Sequence, residues 1–240
     1  MVTTQNTANG SSEARIAKAI EDALTGCLLL THPFYQRWEA GELQLGELDI
    51  YAQNYRSFEA ALPVVLSAVI ERLAADGSKD VAEMVQRNLD DELGRPEPHL
   101  ALFGRFAAAV SAQDPSTDAG TGAGPAADAL VATYTDLVEV GPVAALSALA
   151  AYETQASAIA ASKAEGLRRW YGIDDAGVAF WDVHAAMDAD HGGWAIAALA
   201  SLDADPAVVN DAAKRAADAW WAFLDEREAG APFEAGCCAS

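Results

Sequence analysis

Residues 181–191, WDVHAAMDADH, decide how the rest of the chain is read. The stretch holds two of the four histidines, His184 and His191, with Asp188 between them. A helical residue advances about 100°, so positions four and seven apart return close to one azimuth. A helix here sets His184, Asp188 and His191 in one stripe and turns Asp190 roughly 120° away. Trp181, Met187 and Trp194 flank the stripe. Two imidazoles and a carboxylate on one face read as half of a metal site. A buried hydrogen-bond cluster would have the same spacing.

Outward from this stretch, helix is expected throughout. Hydrophobic residues make up 52% of the chain, alanine is abundant, and no segment alternates with period two. Ser11 or Ser12 caps a first helix toward Leu30, and Pro33 opens a short aromatic helix carrying Phe34, Tyr35 and Trp38 to Gly41. A long helix over about 45–73 presents Leu48, Tyr51, Tyr55, Phe58, Leu62 and Val65, with Pro63 as a point of kinking. Helices follow over about 81–94, from His99 through Val110, and over about 126–139. Gly141-Pro142 starts another that Gly172 stops; the 181–191 stretch lies in one spanning about 175–202. Asp205-Pro206 opens the last, which ends near Gly230. The class is all-α, a single bundle over 12–229 with about seven core helices. Residues 1–11 are expected as a disordered polar leader, about 114–127 as a flexible insert, and 230–240 as a flexible tail. His32, ahead of Pro33, is assigned a cap or packing role.

The net charge of −21 argues against nucleic-acid and anionic-membrane partners. The acids are spread along the chain, as in a solvated surface or an adaptation to a salty interior. No apolar run is long enough to cross a membrane, and the N-terminus lacks a secretory pattern. Cys27, Cys237 and Cys238 make no disulfide framework; Cys27 is expected in the core and the compartment as cytoplasmic.

The other half of a site must come from elsewhere. Glu92 lies seven residues before His99, with prolines between. Glu153 has Leu149, Ala150, Ala156 and Ser157 as its helical neighbours, none able to pair with its charge. Each acid taken singly is as readily a surface group. Glu92, His99, Glu153, His184, Asp188 and His191 together give three carboxylates and three imidazoles, suited to two divalent first-row ions such as iron or manganese. HExxH, GxGxxG and P-loop motifs are missing, and no paired Glu-x-x-His motif occurs.

The elements HPFYQRWEAGEL, DELGRPEPH, AYETQ and HAAMDADH together resemble the haem-oxygenase-like dimetal oxidases of TenA/PqqC-like fold. Within them the resemblance is to the CADD-like self-sacrificing 4-aminobenzoate synthases, over roughly residues 28–200. It implies a seven-helix bundle and metal ligands at Glu92, His99, Glu153, His184, Asp188 and His191. It also implies that Tyr35 is the tyrosine consumed, that Lys163 donates the amine, and that Tyr51 and Tyr152 are further site tyrosines. The cofactors implied are two ions (Fe/Fe or Fe/Mn) with dioxygen and an external reductant. The product implied is 4-aminobenzoate, a folate precursor, made once per chain.

By pattern alone Tyr35 and Tyr51 are core aromatics. Lys163, ten residues after Glu153, lies roughly 80° off its direction, at the edge of a pocket or toward water. Three rivals stand beside the synthase. The same site would serve an oxidase acting on an external fatty acid or amino acid. A cofactor-free oxidase would not need the acids. A non-enzymatic acidic helical interaction protein would need no site. Homodimerisation is left open.

Overall fold

The structure is a computed structural model that describes residues 2–94, 97–113, 124–186 and 190–230, with the backbone alone at 2–9 and 190–192. Among the described residues there are ten α-helices and no strand. They are α1 (Val2–Ala23), α2 (Pro33–Ala40), α3 (Leu45–Ala75), α4 (Lys79–Gly94), α5 (His99–Gln113), α6 (Pro125–Val140), α7 (Pro142–Tyr171), α8 (Asp175–Ala186), α9 (Asp190–Ser201) and α10 (Pro206–Ala229). A single 3-10 turn, Leu29–Thr31, precedes α2.

Two long helices frame the bundle. α7 packs against α10, α8, α9 and α6, while α3 packs against α4, α5 and α6. Where they meet, burial is dominated by aromatic side chains: Tyr35, Trp38, Tyr51, Tyr55, Trp181 and Trp220 are all at most 2% exposed. Such rings supply most of the apolar area a helical core removes from water. None of the described helices is long and apolar enough to cross a membrane.

Local chemistry fixes the elements that carry the site. His32 caps α2, its Nδ1 accepting the Phe34 N–H at 3.1 Å, while Pro33 fills the first helical position and Gly41 ends the helix at φ 74°. This aims Tyr35 inward from the first turn. Gly166 lets α7 close on α2, since a Cβ there would lie 2.9 Å from the Trp38 ring. Lys163, one turn earlier on α7, is thereby brought against Tyr35. α3 runs unbroken through Pro63, whose missing N–H leaves the Glu59 carbonyl without its ordinary i+4 donor.

Several expectations need correction. Residues 2–11 continue α1 rather than forming a disordered leader; once Ser12–Ala23 is helical, extension backward requires no new nucleation. The end of the expected flexible insert is ordered, because Pro125 opens α6 and the Gly124 N–H is held by Asn54 Oδ1 at 2.5 Å; residues 114–123 lie outside the described residues. The single helix expected over 175–202 is described as α8 and α9, with 187–189 between them outside the described residues. Cys27 is half-buried at the edge of the core, its thiol facing Asp218, not inside it. The tail beyond residue 230, with Cys237 and Cys238, is also outside the described residues.

Candidate metal centre and tyrosine–lysine cage

Four of the six expected donor residues have described side chains, and the bundle interior gathers them. Glu92, near the end of α4, places Oε2 3.0 Å from His99 Nδ1 at the start of α5. The pair is close but not aligned for a hydrogen bond, and His99 Nδ1 has no such partner. His99 and His184 of α8 stack edge to face with ring centroids 4.6 Å apart. His184 Nδ1 lies 2.8 Å from the Phe180 carbonyl, so the proton belongs on Nδ1 and Nε2 is left free as a donor. Metal-bound histidines are held in this way, the second ring nitrogen tied to a carbonyl or carboxylate. Glu153 of α7 lines the same cavity, as does Asn88 of α4.

Asp188 lies outside the described residues. His191 is in α9 by its backbone, and its side chain is likewise outside them. Neither placement is therefore part of the geometry below.

One residue at the centre was not anticipated. Glu59 of α3 is 3% exposed. Its carboxylate and the ring nitrogens of His99 and His184 place one donor atom each within 4.8 Å of one another. It falls at i+4 from Tyr55 and i+8 from Tyr51, inside an apolar stripe. A lone charge on that stripe, four residues before Pro63, was the available signal.

Burial and like charge dominate the electrostatics of the cluster. Burial, with Glu92 as a like-charged neighbour, raises the Glu153 carboxyl to about 8. Burial first, then Glu92 and Glu153, pushes Glu59 well above the usual carboxylate range. Burial and the neighbouring His99 lower His184 to about 4. A divalent ion would reverse the carboxylate shifts by favouring the ionised forms, and would hold His184 neutral as burial already does. The donor set of oxygen and imidazole nitrogen fits iron or manganese. Glu59 Oε1 and His99 Nδ1, both buried without a hydrogen-bond partner, fit a cation-binding site better than a finished hydrogen-bond network.

Beside this lies a second cluster. Lys163 of α7 is 2% exposed, and its Nζ donates to Tyr35 Oη at 2.8 Å and Tyr51 Oη at 2.7 Å. The two phenols are 2.9 Å apart. Nζ also sits 4.3 Å from the ring centroids of both Tyr35 and Trp181. Among the described residues no carboxylate pairs with it at ion-pair distance. Desolvation therefore holds the amine well below its ordinary value, with distant Glu59 a lesser opposing influence. A neutral amine has two N–H donors, matched here by two phenol oxygens, and keeps its lone pair. Burial raises all of Tyr35, Tyr51, Tyr55 and Tyr152, so these phenols stay protonated. Tyr55 and Tyr152 form a second pair, oxygens 2.8 Å apart, on the cavity side.

The two clusters are joined along α3. Tyr51, Tyr55 and Glu59 stand at four-residue intervals, a path of about 12 Å along the axis. Its one end touches Lys163 and Tyr35, and its other end meets the donor cluster. A cavity of about 540 Å³ opens at that second end, lined by Glu59, Glu92, Glu153, His184, Tyr134 and Tyr152 among others.

A helical bundle with interior carboxylates and imidazoles is the architecture of a metal-binding oxidase. The chain belongs to the haem-oxygenase-like family: the family described as "iron-containing redox enzyme" matches residues 50–224. More particularly, it is similar to proteins named 4-aminobenzoate synthase. The one from Nitrosomonas europaea is 38% identical over 208 residues, covering 82% of this chain and 84% of that one. The one from Chlamydia pneumoniae is 30% identical over 199 residues, covering 82% and 87%. Two solved structures share the fold. A TenA homologue from Pseudomonas syringae superposes with TM-score 0.72 at 16% identity, covering 89% of this chain and 93% of that one. A CADD-like protein from Nostoc punctiforme does so with TM-score 0.71 at 18% identity, covering 91% and 98%.

Proposed function

We propose that this chain is a dimetal, dioxygen-dependent 4-aminobenzoate synthase that builds its product from the side chain of Tyr35. The observation that carries the reading is the buried contact of Lys163 Nζ with Tyr35 Oη at 2.8 Å, one α3 stripe away from the donor cluster. Glu92, His99, Glu153 and His184, with Asp188 and His191 from the sequence, would hold two ions, iron with iron or iron with manganese. Those ions would supply the reduction of dioxygen, with electrons from an external reductant.

The remaining work falls to the protein. The ring and Cβ of Tyr35 match the carbon skeleton of 4-aminobenzoate, so the Cα–Cβ bond is the one to be cut and Cβ becomes the carboxylate carbon. Lys163 holds an unprotonated amine against the phenol oxygen that it must replace: the ring C–N bond forms as the phenol oxygen leaves as water, and hydrolysis then cuts the lysine Cε–Nζ bond, leaving Cε as an aldehyde with dioxygen as the overall oxidant. A charged lysine would have no lone pair to offer. Tyr51 fixes both partners, accepting from Lys163 and touching Tyr35. Trp38, Trp181 and Phe34 wall the cage off from water, which protects an oxidised ring from adventitious attack. Tyr55 and Tyr152 stand between the cage and the cavity, in line for carrying a proton and an electron between them.

Reconstitution with iron, reductant and air tests the reading. Protein grown on ¹⁵N-lysine should yield ¹⁵N-labelled 4-aminobenzoate, and Tyr35→Phe should yield none while still binding metal. Unlabelled product, or product from the Phe variant, would overturn it.

A second reading is favoured by one observation, the cavity of about 540 Å³ beside the donors. A protein that consumes only itself has little need of so large a space. In this reading an external fatty acid or amino acid is oxidised there with repeated turnover, and the product count per chain separates the two. Dioxygen is the co-substrate in both. We assign no nucleic-acid or membrane partner, place the protein in the cytoplasm, and leave homodimerisation to measurement of mass in solution.

A further inference from the structure

We infer that Glu59 is itself a metal ligand, sharing an ion with His99 and His184. The inference rests on the dimetal reading above and extends it by one residue on a helix, α3, that the six expected ligands do not use.

Three observations carry it. The carboxylate is buried, with the residue 3% exposed, and Oε1 has no hydrogen-bond partner. Structural carboxylates in protein interiors are satisfied, because an unpaired buried charge is far costlier than a hydrogen-bonded one. Second, Glu59 and the two imidazoles offer donor atoms mutually within 4.8 Å, the spacing of ligands around one centre. The imidazole face is set for it, since Nδ1 of His184 is committed to the Phe180 carbonyl. Third, charge favours it. Two divalent ions carry four positive units, and Glu92 and Glu153 are the other acids lining the cavity whose side chains are described. A further carboxylate lowers the net charge buried at the bundle centre.

The backbone adds a local reason for the placement. Pro63 removes the helix hydrogen bond to the Glu59 carbonyl. Glu59 also continues the Tyr51–Tyr55 stripe, so a ligand here would be the element of the metal centre nearest to the tyrosine cage along α3.

The test compares wild type with Glu59→Gln and Glu59→Asp. Each is loaded anaerobically with Fe(II) and separately with Mn(II), desalted, and assayed for ions per chain and for affinity by chelator competition. Wild type is expected to hold two ions. Glu59→Gln is expected to lose one of them. The electron paramagnetic resonance signal of bound Mn(II) should change with it, which a purely structural role would not require. Two ions at unchanged affinity with an unchanged signal in Glu59→Gln would overturn the inference and leave the dimetal reading standing. No metal on wild type would overturn both. Should the Gln variant fail to fold, a metal-soaked wild-type crystal decides: Glu59 oxygen at bonding distance, about 2.0–2.2 Å, supports the ligand, and a longer separation overturns it.

Discussion

Raising the pH should destabilise the metal-free protein, and metal should abolish the effect. The Glu153 carboxyl rises from about 4.5 unfolded to about 8 in the folded state. Between those values the folded chain holds a proton that the unfolded chain has released. Stability from this group is complete below about 4.5 and is lost as pH rises through about 8. Glu59, also raised, acts with the same sign. His184 opposes them only at lower pH: its folded value of about 4 against 6.5 means that stability is gained up to about 6.5 and is flat beyond. The window from pH 6.5 to 8.5 therefore isolates the carboxylates.

One extra bound proton costs roughly 1.4 kcal/mol per pH unit, so the Glu153 limit over this window is about 2 kcal/mol. Its carboxylate lines an open cavity, and water there screens the effect to about half. A loss of about 1 kcal/mol corresponds to roughly 2–4 °C in Tm for a chain of this size. The assay is thermal unfolding in chelator, at matched ionic strength, for wild type and Glu153→Gln. A flat or rising metal-free Tm, or a slope undiminished in the Gln variant, would refute the reasoning; the part that remains in that variant belongs to Glu59. Loading with Mn(II) should remove the slope in wild type, because bound metal holds the carboxylates ionised.

Lys163→Met should end amine transfer yet keep or raise the metal-free melting temperature, because it removes a desolvated amine while the two phenols still bond each other; a large fall in Tm would mean that the amine is a structural strut. Gly166→Ala should lower stability by about 1–3 kcal/mol in chemical denaturation, since its Cβ would sit 2.9 Å from the Trp38 ring; unchanged stability would mean that α2 and α7 separate freely.

Much of the centre was visible in the sequence because helical period is geometry. His184 needs only a rotation per residue to be placed on one face of the 181–191 stripe; Glu92 and His99 fall on separate helices, α4 and α5, so their spacing alone does not bring them together. Glu153 could be singled out because nothing beside it on its own helix could pair with it. Lys163 was harder. Its azimuth relative to Glu153 allowed either the pocket edge or water, and what settles its burial is the close approach of α2 and α7 at Gly166. Glu59 was missed because its meaning lies in partners on α5 and α8. Along α3 it is one charge among apolar residues, and its distance to His99 and His184 is tertiary information.

The most direct measurement is mass spectrometry of the peptide containing Tyr35, before and after reaction with iron, reductant and air, alongside quantified 4-aminobenzoate. Loss of the Tyr35 side chain, mole for mole with product and never exceeding one per chain, is the predicted result. Product formed while Tyr35 stays intact, or several products per chain, would contradict the account.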